Sequence, residues 1–380
     1  MRSRTARLAI ALLVGVAGWA TGGPCGQGQS AGRRTTSPEA ATAFGWRLPD
    51  WMPPPPVPPD NPMSAAKVEL GRSLFFDARL AGLNYISCAT CHRPEIGFSD
   101  GRPVAIGVTG ERHPRNSQSL ANVGYLPALT WADPGVTSLE EQSKLPLFGQ
   151  HPVEMLSTGR EAGIVARLGT DLRYVRLFSE AFPETEGRID FVAIRRALAA
   201  FQRTLLSFGS PYDRYRHAGE ADAISAAAKR GEELFFGDRL ACGRCHPAPF
   251  FTDAVGPPRY HNTGLYNLDG EGALPAGSQG LIEHTGKPED MGRFRTPSLR
   301  NIAVTAPYMH DGSMRTLGEV IEHYAGGGRS ALEGKRSPLT SPLITGFAIA
   351  DDEKADLIAF LEALTDRSFL ENPDNQSPFR

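Results

Sequence analysis

The stretch Cys88-Ala89-Thr90-Cys91-His92 is the feature from which the fold can be predicted. Two thiols three positions apart lie on one helical turn, and a histidine follows them directly. This geometry suits two thioether bonds to the edge of a haem, with the imidazole below the iron. Zinc is the alternative for any Cys-x-x-Cys pair, but the same box recurs as Cys242-Gly243-Arg244-Cys245-His246. Because a four-thiolate zinc site needs no histidine after either pair, we predict two covalently bound haem c groups.

The sequence around the two boxes repeats as well. A helical pattern over 65–76 leads into the first box, and a similar pattern over 226–236 leads into the second. The box histidines are 154 residues apart (246 − 92), and a repeat at that distance indicates a duplicated domain. The predicted fold is mainly α, with two cytochrome-c-like haem domains related by internal duplication and long loops. Apolar residues at helical spacing predict further helices over 191–208 and 352–364.

Composition divides the chain into four segments. Residues 1–24 carry arginines before an apolar run too short to span a bilayer, which is typical of a signal peptide. Residues 25–60 are rich in Pro, Gly and Ser and are predicted to form a tether, with ordered structure beginning near residue 61. An N-terminal cytochrome c domain is predicted over 61–218 and a C-terminal one over 219–380.

The leader also predicts the compartment. No consecutive Arg-Arg pair precedes the apolar run, which favours a Sec-type signal and a periplasmic protein without a transmembrane span in the mature chain. Cys25 is the one cysteine outside the boxes, and a lipid anchor there stays open, although Pro24 fits a lipoprotein cleavage site poorly. The formal charge of −2 gives no excess of basic residues for binding phosphates, so no nucleic-acid partner is expected.

Beyond the boxes, the chain resembles the bacterial di-haem cytochrome c peroxidase superfamily, including its MauG branch, over about residues 61–366. The resemblance is carried by Pro114-Arg115-Asn116-Ser117, Pro152-Val153-Glu154-Met155, Thr296-Pro297-Ser298-Leu299-Arg300-Asn301 and Pro307-Tyr308-Met309-His310-Asp311-Gly312. Within the superfamily the chain is similar to MbnH, the di-haem enzyme of methanobactin operons. Three stretches indicate that subgroup. They are the Pro-rich segment before residue 61, Gly110-Glu111-Arg112-His113-Pro114-Arg115 and Pro146-Leu147-Phe148-Gly149.

The resemblance implies an open iron at the first haem. Its distal proton-transfer residue maps to Glu154, and a glutamine that positions peroxide maps to Gln142; two solvated polar loop residues are the alternative. Ordinary peroxidases of the superfamily carry a removable histidine ligand sixteen positions after the haem histidine, where this chain has Val108. The first haem is therefore predicted to be five-coordinate. His113 is the rival ligand, and we predict instead a loop histidine that hydrogen bonds to backbone.

At the second haem, the family's axial ligand falls fourteen residues after the histidine of the Pro-Tyr-x-His-Asp-Gly stretch. From His310 that position is Tyr324, and the resemblance to MauG implies a tyrosine ligand. A phenolate donates strongly to oxidised iron and lowers its potential, whereas electron-transfer cytochromes use methionine. The alternative is a buried aromatic at this position, with Met309, Met314 or His323 on the iron.

Two further sites are implied by the resemblance. A tryptophan between the haems relays charge and maps to Trp131; a core tryptophan is the alternative. The superfamily also binds one calcium ion between its domains through an asparagine amide oxygen and two backbone carbonyls. These ligands map to Asn116, Thr305 and Pro307, and an all-oxygen site suits a hard cation.

Taken together, these assignments predict an exported di-haem c-type oxidoreductase that uses hydrogen peroxide to form a high-valent bis-Fe(IV) state. By resemblance to MauG and MbnH, this state oxidises a residue, with tryptophan favoured, on a periplasmic partner protein. The alternative enzyme is a cytochrome c peroxidase that removes peroxide with electrons from a small donor protein; Val108 and Tyr324 count against it. The third hypothesis is that the protein is a passive di-haem electron carrier, which requires two six-coordinate haems.

Overall fold

The computed structural model of the chain describes residues 44–379. The predicted signal peptide over 1–24 and Cys25 lie outside the described residues. In the first half, the helices are α1 (Ala65–Phe76), α2 (Cys88–Cys91), α3 (Leu139–Gln142), α4 (Lys144–Phe148), α5 (Glu161–Gly169), α6 (Leu172–Ala181) and α7 (Phe191–Arg203).

The second half is built in a similar way, with one small sheet. Its helices are α8 (Pro211–His217), α9 (Ala226–Phe236), α10 (Ile282–Thr285), α11 (Leu317–Ala325), α12 (Arg329–Leu332), α13 (Asp351–Glu362) and α14 (Arg367–Leu370). Strands β1 (Tyr260–Asn262) and β2 (Arg293–Arg295) pair antiparallel, with Tyr260 opposite Arg295. The mainly helical prediction is therefore confirmed.

Helices α1 and α9, which lead into the haem boxes, begin in the same way. The Ser64 hydroxyl accepts the backbone N–H of Lys67 at 3.2 Å, and the Ser225 hydroxyl accepts that of Ala228 at 3.1 Å. Each serine therefore satisfies an N–H group that the first helical turn leaves without a partner.

Each of these helices also crosses a long partner helix at a glycine. A Cβ on Gly71 of α1 would lie 1.9 Å from the carbonyl oxygen of Ala197 in α7, and a Cβ on Gly231 of α9 would lie 2.0 Å from that of Asp356 in α13. Only glycine permits backbones to approach this closely, so both crossings depend on it.

Two large apolar clusters make up most of the core. The first packs α1, α5, α6 and α7 around side chains such as Phe75, Phe178 and Phe201. The second packs α9, α11 and α13 around Phe235 and Phe360. Each haem box therefore lies next to its own core. Within residues 44–379, no helix is both long and apolar enough to cross a bilayer.

Order begins earlier than the predicted residue 61. Residues 44–60 contain no helix or strand, yet Met52 and Val57 are buried. The Tyr125 hydroxyl donates to the Pro53 carbonyl at 2.6 Å, and the Trp51 ring stacks on His217 with 3.8 Å between centroids. This part of the predicted tether is therefore packed against the body by its large apolar side chains.

Other predicted boundaries differ by a few residues. The helix predicted over 191–208 ends at Arg203, where Thr204 caps it, and the one predicted over 352–364 spans Asp351–Glu362. Helix ends are the part of a periodic pattern that sequence defines least well, because fraying and capping decide them locally.

Candidate di-haem active site

The two box histidines are held by the same hydrogen bond. Nδ1 of His92 lies 2.8 Å from the Phe98 carbonyl, and Nδ1 of His246 lies 2.9 Å from the Phe251 carbonyl. Since a carbonyl oxygen only accepts, Nδ1 carries the proton in both rings and Nε2 is left as the atom that can bind iron. This tautomer is the one that a metal-bound histidine requires.

An unusual backbone conformation directs both carbonyls. Phe98 and Phe251 have φ angles of 61° and 53°, in the left-handed region that non-glycine residues seldom adopt, and both side chains are fully buried. Such a conformation costs on the order of 1–3 kcal/mol and is kept where surrounding contacts enforce it. The aromatic cores thus hold the two carbonyls under the histidines.

The thiols fit covalent haem attachment. Cys88, Cys91, Cys242 and Cys245 form no disulfide. Burial raises the pKa of Cys88, Cys91 and Cys242 to about 12 and that of Cys245 to about 11. In both boxes the histidine that follows the thiol pair keeps Nε2 free for iron, and this donor set fits haem c.

One three-residue group among the described residues has metal-binding spacing, namely Cys245, Asp253 and His261. The His261 Nε2 is 2.8 Å from a carboxylate oxygen of Asp253, so these two side chains already bind each other. With the Cys245 sulfur taken up in a thioether bond, the group lacks a third ligand.

Glu154, the predicted acid–base residue, lies beside Val108. The Val108 N–H donates to the Glu154 carbonyl at 2.7 Å, which places both residues on adjacent backbone segments. Burial raises the pKa of the Glu154 carboxyl to about 7. Its charge in turn helps to raise the pKa of Cys88 and Cys91, so Glu154 lies near the first haem box. A carboxyl with a pKa near neutral suits proton transfer in both directions.

His113 is a neighbour of this carboxyl, which sequence reasoning missed. Its Nδ1 accepts the Arg115 N–H at 3.0 Å, as predicted for a loop histidine bonded to backbone. Its Nε2 lies 3.8 Å from a carboxylate oxygen of Glu154. Burial lowers the pKa of His113, so the neutral ring directs an N–H towards the carboxylate. No local pattern could have revealed this pair, because the two residues are on separate loops.

Gln142 is the C-terminal residue of α3 and is half-buried. Its backbone N–H donates to the Ser138 carbonyl at 2.9 Å. Within residues 44–379 its side chain has no hydrogen bond, so its role in positioning peroxide stays a prediction.

At the second haem box, Tyr324 is half-buried on α11. Burial raises the pKa of its phenol, and the sulfurs of Cys245 and Cys242 act in the same direction, which places the ring near the haem-attaching thiols. The neighbouring His323 instead accepts the Arg329 N–H through Nδ1 at 3.0 Å. The alternative ligand Met314 is buried against Leu265 and Tyr308.

Trp131 is buried between elements of the two halves. Its Nε1–H donates to the Asn116 carbonyl at 2.8 Å, and its ring packs edge-on against Phe294 of β2 with 6.4 Å between centroids. Its own carbonyl accepts the Arg295 N–H at 2.8 Å. The tryptophan is thus fixed by both halves, as a relay would need to be.

Asn116 also fits the predicted calcium site. Its Nδ2 donates to the carbonyls of Arg102 and Pro103, which leaves the amide oxygen for a cation. Its backbone N–H donates to the His310 carbonyl at 2.7 Å, so Asn116 lies against the segment that contains Thr305 and Pro307.

The chain is similar to known proteins over most of its length. The family model for di-haem cytochrome c peroxidase matches residues 65–222. Cytochrome-c peroxidase IdrP1 of Pseudomonas sp. (strain SCT) is 37% identical over 339 residues, covering 83% of this chain and 84% of that protein. The chain belongs to the di-haem cytochrome c peroxidase/MauG family. It is a di-haem oxidoreductase, and membership implies two haem c groups.

Members with two different names are equally similar in sequence. The methylamine utilization protein MauG of Methylophilus methylotrophus is also 37% identical, over 311 residues that cover 81% of this chain and 85% of that protein. A crystal structure of a MauG-like protein associated with microbial copper homeostasis has 47% identity and a TM-score of 0.85, covering 89% of this chain and all of that one. The di-haem peroxidase BthA of Burkholderia thailandensis, at 23% identity and a TM-score of 0.65, supports the fold alone.

Proposed function

We propose that this enzyme uses hydrogen peroxide to oxidise a tryptophan on a periplasmic partner protein. The observation that carries the proposal is the inequality of the two haem sites, with Val108 where peroxidases have a removable ligand and Tyr324 beside the second pair of thiols. The bound haems supply the redox chemistry, while the protein controls ligands, access and proton movement.

At the first site, Glu154 moves the proton. As a carboxylate it would take a proton from one oxygen of peroxide, and as the acid it would return that proton to the other oxygen as the O–O bond breaks. A pKa near 7 keeps both forms accessible at neutral pH. His113 Nε2 lies 3.8 Å from this carboxylate, and Gln142 is the residue that would orient peroxide.

At the second site, Tyr324 is the residue that would bind the haem iron. A phenolate is a stronger donor than methionine, so it would lower the potential of that iron and favour its oxidised forms. Trp131, fixed between Asn116 and Phe294, is the proposed relay for charge between the two sites. The partner supplies the electrons that reduce peroxide to water.

The proposal also includes a calcium site, a cellular location and an origin for the two domains. We propose that Asn116, Thr305 and Pro307 bind one calcium ion, and that export through the 1–24 signal places the chain in the periplasm. We also propose that the domains over 61–218 and 219–380 arose by internal duplication. The matching histidine bonds and the matching crossings at Gly71 and Gly231 support this origin.

Removal of peroxide with electrons from a small cytochrome is the second candidate, because relatives named cytochrome-c peroxidase are as similar as MauG. Steady-state turnover with reduced cytochrome c separates the two. The proposal expects negligible turnover with this donor, and fast turnover would favour peroxide removal.

The direct test uses the partner. Proteins encoded beside this enzyme are incubated with it and hydrogen peroxide, and each is measured by intact-mass and peptide mass spectrometry. The proposal expects a mass change on a tryptophan of one such protein that needs both enzyme and peroxide. Unchanged masses for every neighbour would contradict the proposed substrate.

A further inference from the structure

Arg295, the last residue of β2, is a buried cation without a carboxylate partner among the described residues. Its side chain is 4% exposed. Nε donates to the Thr130 carbonyl at 3.0 Å, Nη1 donates to the Thr296 carbonyl at 3.3 Å, and Nη2 donates to the Gln118 amide oxygen. All three partners are neutral, so the positive charge is left uncompensated.

The other buried arginines in residues 44–379 are paired. Arg300 makes two bonds to Asp213 at 2.8 and 2.9 Å, and Arg203 makes two bonds to Glu140 at 2.8 Å each. Taking a charge out of water costs several kcal/mol unless an opposite charge compensates it. Burial accordingly lowers the pKa of Arg295 to about 10. Protein carboxylates therefore compensate the charges of Arg300 and Arg203, whereas the charge of Arg295 has no such partner.

A second group at the same place also lacks a partner. Tyr260 is opposite Arg295 in the two-stranded ribbon, so their side chains are on the same face. The Tyr260 hydroxyl is buried, and no described residue hydrogen bonds to it. A guanidinium and a hydroxyl donor side by side form the donor set that a carboxylate accepts.

The neighbours of Arg295 place this donor set between the two haem boxes. The Gln118 backbone lies against the His92 ring, and the Pro297 backbone, next to Thr296, lies against the His246 ring. The only carboxylates that haem c brings into such a place are its propionates. At 4% exposure, the arginine is poorly placed to exchange a solute anion with water.

We infer that Arg295 and Tyr260 form a carboxylate-binding site, and that its ligand is a propionate of a bound haem. The guanidinium supplies the counter-charge and the hydroxyl donates a second hydrogen bond. Because Arg295 also bonds to the backbone of Trp131, the site ties the haem edge to the proposed relay. This inference depends on haem binding and is independent of the proposed protein substrate.

The test compares the holoenzyme with Arg295→Gln, Arg295→Lys and Tyr260→Phe. Haem content per chain is measured by pyridine haemochrome, the two midpoint potentials by redox titration, and the propionate bending bands by resonance Raman. Arg295→Gln should keep two haems per chain, because thioether bonds hold them. One midpoint potential should fall, since a lost positive charge disfavours the reduced haem, and one propionate band should shift.

The other variants keep the test decisive. The midpoint potential of Arg295→Lys should lie between those of the wild type and Arg295→Gln. Tyr260→Phe should shift the same propionate band by less than Arg295→Gln does. Arg203→Gln is the matched control: it removes a buried arginine paired with a protein carboxylate, so it should lower the thermal unfolding temperature without moving either potential.

Two results would overturn the inference. The first is unchanged potentials and unchanged propionate bands in Arg295→Gln and Tyr260→Phe. The second is a wild-type potential that follows the concentration of added acetate or phosphate, because that dependence would identify the ligand as a free anion. A fall in potential without any change in the mass-spectrometric assay would still support the site, so its outcome is separate from that of the proposed function.

Discussion

The two haem boxes share the same histidine contact, but the residues near each box differ. Both histidines donate Nδ1–H to a carbonyl of a left-handed phenylalanine. Near the first box lie Val108 and the half-buried Glu154, whose carboxyl has a raised pKa, whereas the half-buried Tyr324 lies near the second. If Glu154 and Tyr324 have the proposed roles, the shared histidine bonds build each haem site and these differing residues decide which haem reacts with peroxide.

Glu154→Gln should have the largest effect on this comparison. The amide keeps the shape but cannot accept the proton from peroxide, so reaction with peroxide should slow by about 100-fold or more. Stopped-flow absorbance after mixing with peroxide measures the rate. Glu141→Gln on the exposed end of α3 is the control and should react like wild type. A normal rate in Glu154→Gln would remove this residue from the mechanism.

Tyr324→Met should make the second site resemble an electron-transfer haem. A sulfur ligand raises the potential, and axial ligands span roughly 0.8 V in haem proteins. Redox titration should show a higher potential for the second haem alone, with faster turnover of reduced cytochrome c. Tyr324→Phe, which offers no ligand atom, separates loss of the phenolate from gain of sulfur. If both variants keep the wild-type spectrum and potential, another residue is the ligand.

The reaction at the first site should depend on pH near neutrality. The reactive form of Glu154 is the carboxylate, and burial raises its pKa to about 7. Below that pH the rate should fall about tenfold per unit, and above it the rate should level off. In His113→Phe the carboxylate loses the nearby N–H, so the inflection should move to higher pH. His217→Asn on α8 should leave it in place. An inflection that survives Glu154→Gln would assign it to another group.

The glycine crossings give the smallest effects and test the likeness of the two halves. Gly71→Ala and Gly231→Ala each force a Cβ to within about 2 Å of a carbonyl oxygen. Each should lower the free energy of unfolding by about 1–3 kcal/mol. Gly163→Ala in α5, where the Cβ meets no atom within 4 Å, should be neutral or stabilising by up to about 1 kcal/mol. Chemical denaturation of the holoproteins measures all three. If only one of the two crossing variants lost stability, the packing at Gly71 and Gly231 would not be equivalent.

Local patterns in the sequence predicted the elements that local physics controls. Helices α1 and α9 follow from short-range spacing, and the structure places them as expected. The packing of Trp51 and Met52 could have been predicted, because large apolar residues in a Pro-rich stretch seldom belong to a free tether. The prediction of a tether instead followed the overall Pro, Gly and Ser content of the segment. The contact between His113 and Glu154 had no signal, because it joins two loops that only the tertiary fold brings together.

Arg295 shows a different limit of sequence reasoning. In the sequence it directly precedes the motif that contains Arg300. Only the structure shows that Arg300 meets Asp213 while Arg295 meets no carboxylate. Burial and pairing are properties of the assembled fold, so a missing counter-charge cannot be read from residue order.

The measurement that tests the central claim most directly is the low-temperature electron paramagnetic resonance spectrum of the oxidised holoenzyme, with spins counted for each iron. An open first haem and a ligated second haem predict one high-spin ferric signal and one low-spin signal of about equal weight. Two low-spin signals, with no high-spin ferric iron, would mean that a protein side chain closes the first site, and would contradict the account.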